Sequence, residues 1–149
     1  MSPSDRIRSL LERKRGELWS VAPDRTVLDA ITIMSEREIG ALPVVENGRL
    51  VGMLSERDYA RKIILQGRSS RDTTVAEIMT SPVITVTSFE TVEDAMRLMT
   101  EHRVRHLPVV NRGGIEGIVS IGDLVNWIIS AHQEEIANLR TYIAGSYPA

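Results

Sequence analysis

The chain has 149 residues, 42% apolar and 26% charged, the proportions of an ordinary globular protein with room for one domain or two small joined ones. Cysteine is absent, which excludes disulfides, thiolate metal sites and cysteine nucleophiles, and the formal net charge of −2 argues against broad attraction to nucleic acid or an acidic membrane. No apolar run approaches the roughly 18 residues of a membrane span, and Met1–Leu10 lacks a signal-peptide core, so a cytoplasmic location is expected. In chain order, Asp5–Arg15 reads as a helix ended by Gly16. A strand enters through Trp19-Ser20-Val21. Thr26-x-x-Asp29 has the spacing of a capping box, and Val27, Ala30, Ile31 and Met34 follow as one helical stripe. Leu42–Val45 and Leu50–Leu54 are short β-branched runs joined by Asn47-Gly48, a strong hairpin signal. Another helix begins near Asp58. Gln66–Thr74 is a polar linker, after which Thr74-x-x-Glu77 caps a short helical turn through Met79. Ile84-Thr85-Val86 is the next strand. A second box, Thr91-x-x-Asp94, opens the stripe Val92, Ala95, Met96 and Met99. Leu107–Val110 and Ile115–Val119 then flank Gly113-Gly114. The last helix starts near Asp123 and runs to Ile143, with Gly145 and Pro148 as stop signals.

This order contains a duplication. Thr26–Leu65 laid over Thr91–Ser130, at a constant offset of 65 without gaps, matches at 16 of 40 positions. Leu42-Pro43-Val44-Val45 recurs as Leu107-Pro108-Val109-Val110, and Gly52, Ser55 and Asp58 recur as Gly117, Ser120 and Asp123. One copy of about 55 residues has a marginal core, so the two copies are expected to pack together. The expected organisation is an N-terminal helix over residues 1–16, a first repeat with its linker over 17–72, a second repeat over 73–130 and a helical extension over 131–149.

The motif Gly52-x-x-Ser55-x-x-Asp58 and its copy Gly117-x-x-Ser120-x-x-Asp123 fall where a strand ends and a helix starts. Free N–H groups there attract phosphate, a serine hydroxyl bonds a phosphate or ribose oxygen, and an aspartate accepts from both ribose hydroxyls. The plainer alternative makes Ser55 and Ser120 helix caps and the aspartates partners of the helix dipole. Both roles are compatible in one serine. Enzyme signals are missing. The chain has no phosphate-binding G-x-x-x-x-G-K-[ST] loop and no G-x-S-x-G elbow, and His102 is followed by Arg103, not by the glutamate that the H-E-x-x-H motif of a zinc protease needs. Catalysis is therefore not expected, nor is a metal.

The repeated helix, LPVV run, hairpin and G-x-x-S-x-x-D motif resemble a tandem pair of cystathionine-β-synthase-type (CBS) domains over about Leu18–Ser130. The spelling Ser55-Glu56-Arg57-Asp58-Tyr59-Ala60-Arg61-Lys62 is similar to small stand-alone bacterial proteins of that family. The resemblance implies an α/β (α+β) fold of two tandem β-α-β-β-α repeats packed with pseudo-two-fold symmetry. It also implies regulatory binding of adenine-containing ligands (AMP, ADP, ATP, NAD(H) or S-adenosylmethionine) in the clefts between repeats, without catalysis. Family resemblance sets Arg105 and His106 toward the phosphates of the Ser55/Asp58 site, and Arg57 toward those of the Ser120/Asp123 site. The matching positions are Gly40-Ala41 and Gly122, so two unequal sites are expected. For the adenine, the candidates are Trp19, Ser20 and Val21, then Ile84 and Thr85, with Met53, Pro108 and Ile118 near the base; all of them also fit as strand core. Arginine outnumbers lysine 16 to 2, a bias read as genomic before it is read as anion recognition. Finally, Val125, Ile129, His132, Ile136, Leu139 and Ile143 recur every 3.5 residues. That seam points to a homodimer; the alternative is a tail folded back on Ile7, Leu10 and Leu11.

Overall fold

The computed structural model describes residues 1–14, 16–112 and 114–143. In chain order these form α1 (Ile7–Arg13), α2 (Val27–Arg37), β1 (Ala41–Glu46), β2 (Arg49–Ser55) and α3 (Glu56–Tyr59), which widens into a π-helical turn over Ala60–Ile64. There follow α4 (Val75–Ile78), α5 (Val92–His102), β3 (His106–Asn111), β4 (Gly114–Ser120) and α6 (Ile121–Ile143). The chain is α/β, with short antiparallel two-stranded sheets and one set of these elements per repeat. By contact it divides into two units. The first comprises residues 17–85 with 110–116, and the second comprises residues 1–16, 86–109 and the chain from 117 onward.

In the first unit Thr26 Oγ1 accepts the Asp29 N–H at 3.1 Å, which starts α2. The box closes only by half, because the Asp29 carboxylate turns to Arg25 Nε at 3.1 Å. Helix α2 buries Val27, Ala30 and Met34, and it stops at Glu38, which is left-handed at φ 54°. β1 and β2 pair through Asn47 (φ 52°) and Gly48 (φ 78°), the double positive φ that suits the twist of a two-residue hairpin. Leu42, Val44 and Leu54 from this hairpin meet Val27, Ala30 and Met34, and Ile63, Val75 and Ile78 complete the core.

The expected linker is not slack. Val27 N–H donates to Thr73 O, Leu28 N–H to Ser70 O and Val75 N–H to Arg25 O, so the segment before α4 is sewn onto the start of α2. The second unit repeats the stitch with residues from the far end of the sequence. Val92 N–H donates to Asp5 O, Glu93 N–H to Pro3 O and Ile7 N–H to Glu90 O. The helix that precedes each repeat in sequence therefore completes the other repeat's unit: α4 covers the first and α1 the second. α1 is shorter than expected, and Arg15 lies outside the described residues, as do Gly113, Gly145 and Pro148.

The entering strands shrink to single parallel bridges, Val21 to Val44 and Val86 to Val109. Proline is the reason in the first copy. Val21 N–H donates to Pro43 O and Val45 N–H to Val21 O. The next donors on either side would be Pro43 and Pro23, and neither has an N–H. In the second copy Val86 N–H donates to Pro108 O. There Pro108 blocks one side, and the turn fixed by Thr87 N–H to Glu90 Oε2 at 2.7 Å bends the chain away on the other.

Candidate functional site

Each repeat's motif is a tight knot at the end of a hairpin. In the first, Asp58 N–H donates to Ser55 Oγ at 3.2 Å, and Asp58 Oδ2 accepts from Ser55 N–H at 2.9 Å and Ser55 Oγ at 3.0 Å. The other oxygen, Oδ1, accepts from Thr80 Oγ1 at 3.2 Å and from Lys62 Nζ at 3.0 Å. The Asp58 side chain is 12% exposed, so this carboxylate is almost withdrawn from water. Lys62 is held from behind by Ile78 O at 2.9 Å.

The second motif repeats the knot with a different cation. Ser120 N–H donates to Asp123 Oδ2 at 2.8 Å, and Asp123 N–H donates to Ser120 Oγ at 3.1 Å. Lys14, at the end of α1, reaches Asp123 Oδ2 at 2.8 Å and Ile118 O at 2.7 Å. Burial pushes the Asp123 carboxyl up, but Lys14 and the two Ser120 donors outweigh it and hold the pKa below the usual aspartate value.

The expectation of free helix N–H groups is corrected by these contacts. Glu56 N–H donates to Gly40 O at 3.0 Å and Ile121 N–H to Arg105 O at 2.9 Å, while the third helical N–H of each turn goes to its serine. The cap role read as the plainer alternative is present in both copies. What the motifs still offer a ligand is side-chain oxygen and charge, not a row of bare amides.

The remaining candidates divide between the units. With Ser55 and Asp58 in the first stand Trp19, Ser20, Val21, Met53, Arg57, Ile84 and Thr85; with Ser120 and Asp123 in the second stand Arg105, His106, Pro108 and Ile118. Val21 is a core side chain, packed with Leu42 and Val44. Met53 is also buried, and its backbone pairs both ways with Thr80. Trp19 packs against the core, and the Arg37 guanidinium lies 3.8 Å from its ring centre, so this face is already occupied. Pro108 is buried, His106, Ile84, Thr85 and Ile118 are half-buried, and Ser20, Arg57 and Arg105 are exposed.

Three partners of the aspartates escaped the sequence reading: Lys62, Thr80 and Lys14. Lys62 stood four residues after Asp58, an i,i+4 charge pair that could have been noticed. Lys14 stands 109 residues from Asp123 in sequence, and no local signal links them. Among the described residues no group of three or more His, Cys, Asp or Glu is placed to hold a metal ion, and no helix is long and apolar enough to cross a membrane.

Comparison with known proteins bears on both motifs. The sequence pattern of the CBS domain family matches residues 10–65 and again 75–130. The mitochondrial CBS domain-containing protein CBSX3 of Arabidopsis thaliana is 48% identical over 135 residues, covering 87% of this chain but 65% of that protein, just under two-thirds of its length. YhcV, a CBS domain-containing protein of Bacillus subtilis, is 40% identical over 108 residues, covering 72% of this chain and 76% of that one. A solved protein with CBS domains from Burkholderia ambifaria superposes with a TM-score of 0.81 at 44% identity, over 85% of this chain and 95% of its own. A weaker and partial match is an inosine-5′-monophosphate dehydrogenase of Nitrosopumilus maritimus, 31% identical over 110 residues, which are 22% of that enzyme.

Proposed function

Since the chain belongs to the CBS domain family and carries two copies of its repeat, we propose that it is a non-catalytic regulatory module that senses adenine-containing ligands such as AMP, ADP, ATP or NAD(H). The observation that carries this reading is the twice-built carboxylate. Asp58 and Asp123 stand at the same place in each repeat, each aimed by a serine N–H on one oxygen. A vicinal diol donates two parallel hydrogen bonds, which suits an oriented carboxylate. Ser55 and Ser120 add a hydroxyl beside each acceptor, and Arg57, Arg105 and His106 supply charge for phosphate. Ser20, Met53, Ile84, Thr85, Pro108 and Ile118 supply backbone and apolar surface for a base.

Signalling follows from differential affinity. A ligand shifts a partner-binding conformation only by as much as it prefers that conformation, about 1–3 kcal/mol in typical coupling. Titration calorimetry with AMP, ATP, NAD(H) and S-adenosylmethionine tests the reading directly. Asp58→Ala and Asp123→Ala should each weaken one site about 10- to 100-fold, the loss of a charged hydrogen-bond partner. Heat with none of the four ligands would instead favour a structural dimerisation protein with vestigial sites, a reading that the fully engaged Asp58 carboxylate also fits.

A further inference from the structure

Helix α6 runs on well past the repeat it closes. Ala131 is its last buried residue among those described, and from His132 to Thr141 every residue is exposed. An isolated helix of this length is marginal in water, even one made of good helix formers. The stretch is nevertheless apolar at Ile136 and Leu139, which continue the exposed line of Val125 and Ile129. Spacings of 4, 3, 4 and 3 through His132 make these five residues alternate d and a positions of a heptad, and Ile143 is the next a in sequence. So narrow a line, repeating every 3.5 residues, suits a helix wrapped by another helix rather than one laid on a broad core.

The same heptad fixes what flanks the seam. Its e positions are Asn126, Gln133 and Arg140, and its g positions are Ile128, Glu135 and Tyr142. The one base therefore stands on e and the one acid on g. In a parallel pair, g of one helix faces e of the next heptad on the other, five residues on, so Glu135 meets Arg140 on both sides of the seam. In an antiparallel pair g faces g and e faces e, and no shift of register joins opposite charges. We propose that α6 pairs in parallel, and in register, with α6 of a second copy of this chain. His132 then meets its counterpart in a single polar layer, the kind that specifies register at some cost in stability. Parallel pairing holds the second units of both copies at one end of the coil, and it does not depend on what the motif aspartates bind.

The chain has no cysteine, so single cysteines report the geometry directly. His132→Cys and Leu139→Cys, each alone in the full chain, should give a covalent dimer on mild oxidation, read by non-reducing electrophoresis. Asn138→Cys, on the side of the helix away from the seam, should not. Both seam positions can pair with themselves only in a parallel dimer, because antiparallel helices cross their own two-fold axis at one point. Sedimentation equilibrium reads the charges. Glu135→Arg and Arg140→Glu should each weaken the dimer about tenfold, since two attractions become two repulsions. The double variant Glu135→Arg with Arg140→Glu restores both pairs and should return to within about threefold of wild type, which separates a charge effect from misfolding. Failure of either seam cysteine to crosslink, or a dimer indifferent to both single charge reversals, overturns the proposal.

Discussion

Burial raises the pKa of the Asp123 carboxyl, but the Lys14 ammonium and the Ser120 N–H and hydroxyl lower it further, so the net position is below the ordinary aspartate value. Asp29, beside Arg25, and the capping-box carboxyls Glu77 and Asp94, which accept from Thr74 and Thr91, are lowered as well. A carboxyl whose folded pKa lies below its unfolded one stabilises the protein fully above the unfolded value. That contribution is lost as pH falls through the folded value. Thermal melts should therefore show a midpoint that is flat from pH 7 to about 5 and falls by on the order of 2–5 °C toward pH 3. Asp123→Asn should flatten part of that slope, and so should Lys14→Met, which removes the attraction. A midpoint that does not move between pH 6 and 3 would contradict the assignment. At this scale the sequence showed the serine–aspartate pairs through their spacing, but it could not show which cation would arrive at Asp123.

Between elements, the glycine that opens each motif has a packing reason. A Cβ on Gly52 would run into the Met79 side chain behind α4, including its Cγ at 2.9 Å and Cβ at 3.2 Å. A Cβ on Gly117 would meet Leu11 of α1, chiefly a terminal methyl at 2.9 Å. A methyl end swings aside more easily than a stem near the backbone. Gly52→Ala should thus destabilise by about 1–3 kcal/mol and Gly117→Ala by less. Adding Met79→Ala should recover part of the first loss and none of the second, a coupling that a denaturant double-mutant cycle measures. Equal costs for the two glycines would contradict the account. The helix ends show the opposite limit of legibility. Glu38 and Arg103, 65 residues apart, both close a helix in the left-handed region, at φ 54° and 53°. Glycine is the usual residue there, so neither position announced itself in sequence.

For the whole molecule, α6 spans 23 residues, about 34 Å at 1.5 Å per residue. Its inward face buries Leu124, Trp127 and Ala131. Trp127 Nε1 donates to Ser2 O and Asp5 Oδ2, both at 3.1 Å, so the N-terminal segment does lie on this helix. The opposite seam stays bare, with Val125 39%, Ile129 48%, Ile136 38% and Leu139 60% exposed. The side chain of Ile143 lies outside the described residues. The N-terminal contacts meet α6 at Trp127, before Ser130, and are not the expected folding of the tail on Ile7, Leu10 and Leu11; a second copy of the chain would cover the exposed 3.5-residue seam. Light scattering should give a mass near twice 16.6 kDa. Ile136→Glu with Leu139→Glu, or removal of the chain after Ser130, should lower it toward one chain. A wild-type monomer at micromolar concentration would end this idea, and a truncated chain that stays dimeric would move the interface elsewhere.

Sequence alone determined what depends on near neighbours and on repetition. The helical stripes, the Asn47-Gly48 turn, the Thr91/Asp94 and Thr74/Glu77 boxes and the two serine–aspartate motifs all rest on contacts within a few residues, and the duplication at an offset of 65 made the stripes and the serine–aspartate motifs visible twice. The tertiary structure decided what depends on residues distant in the chain. It set α4 over the first repeat and α1 over the second, brought Lys14 to Asp123, placed Met79 against Gly52, and cut the entering strands to single bridges, the first where Pro43 and Pro23 withhold their donors. These are long-range closures, in which the energy comes from burial and hydrogen bonds between segments that carry no mark of each other in the sequence.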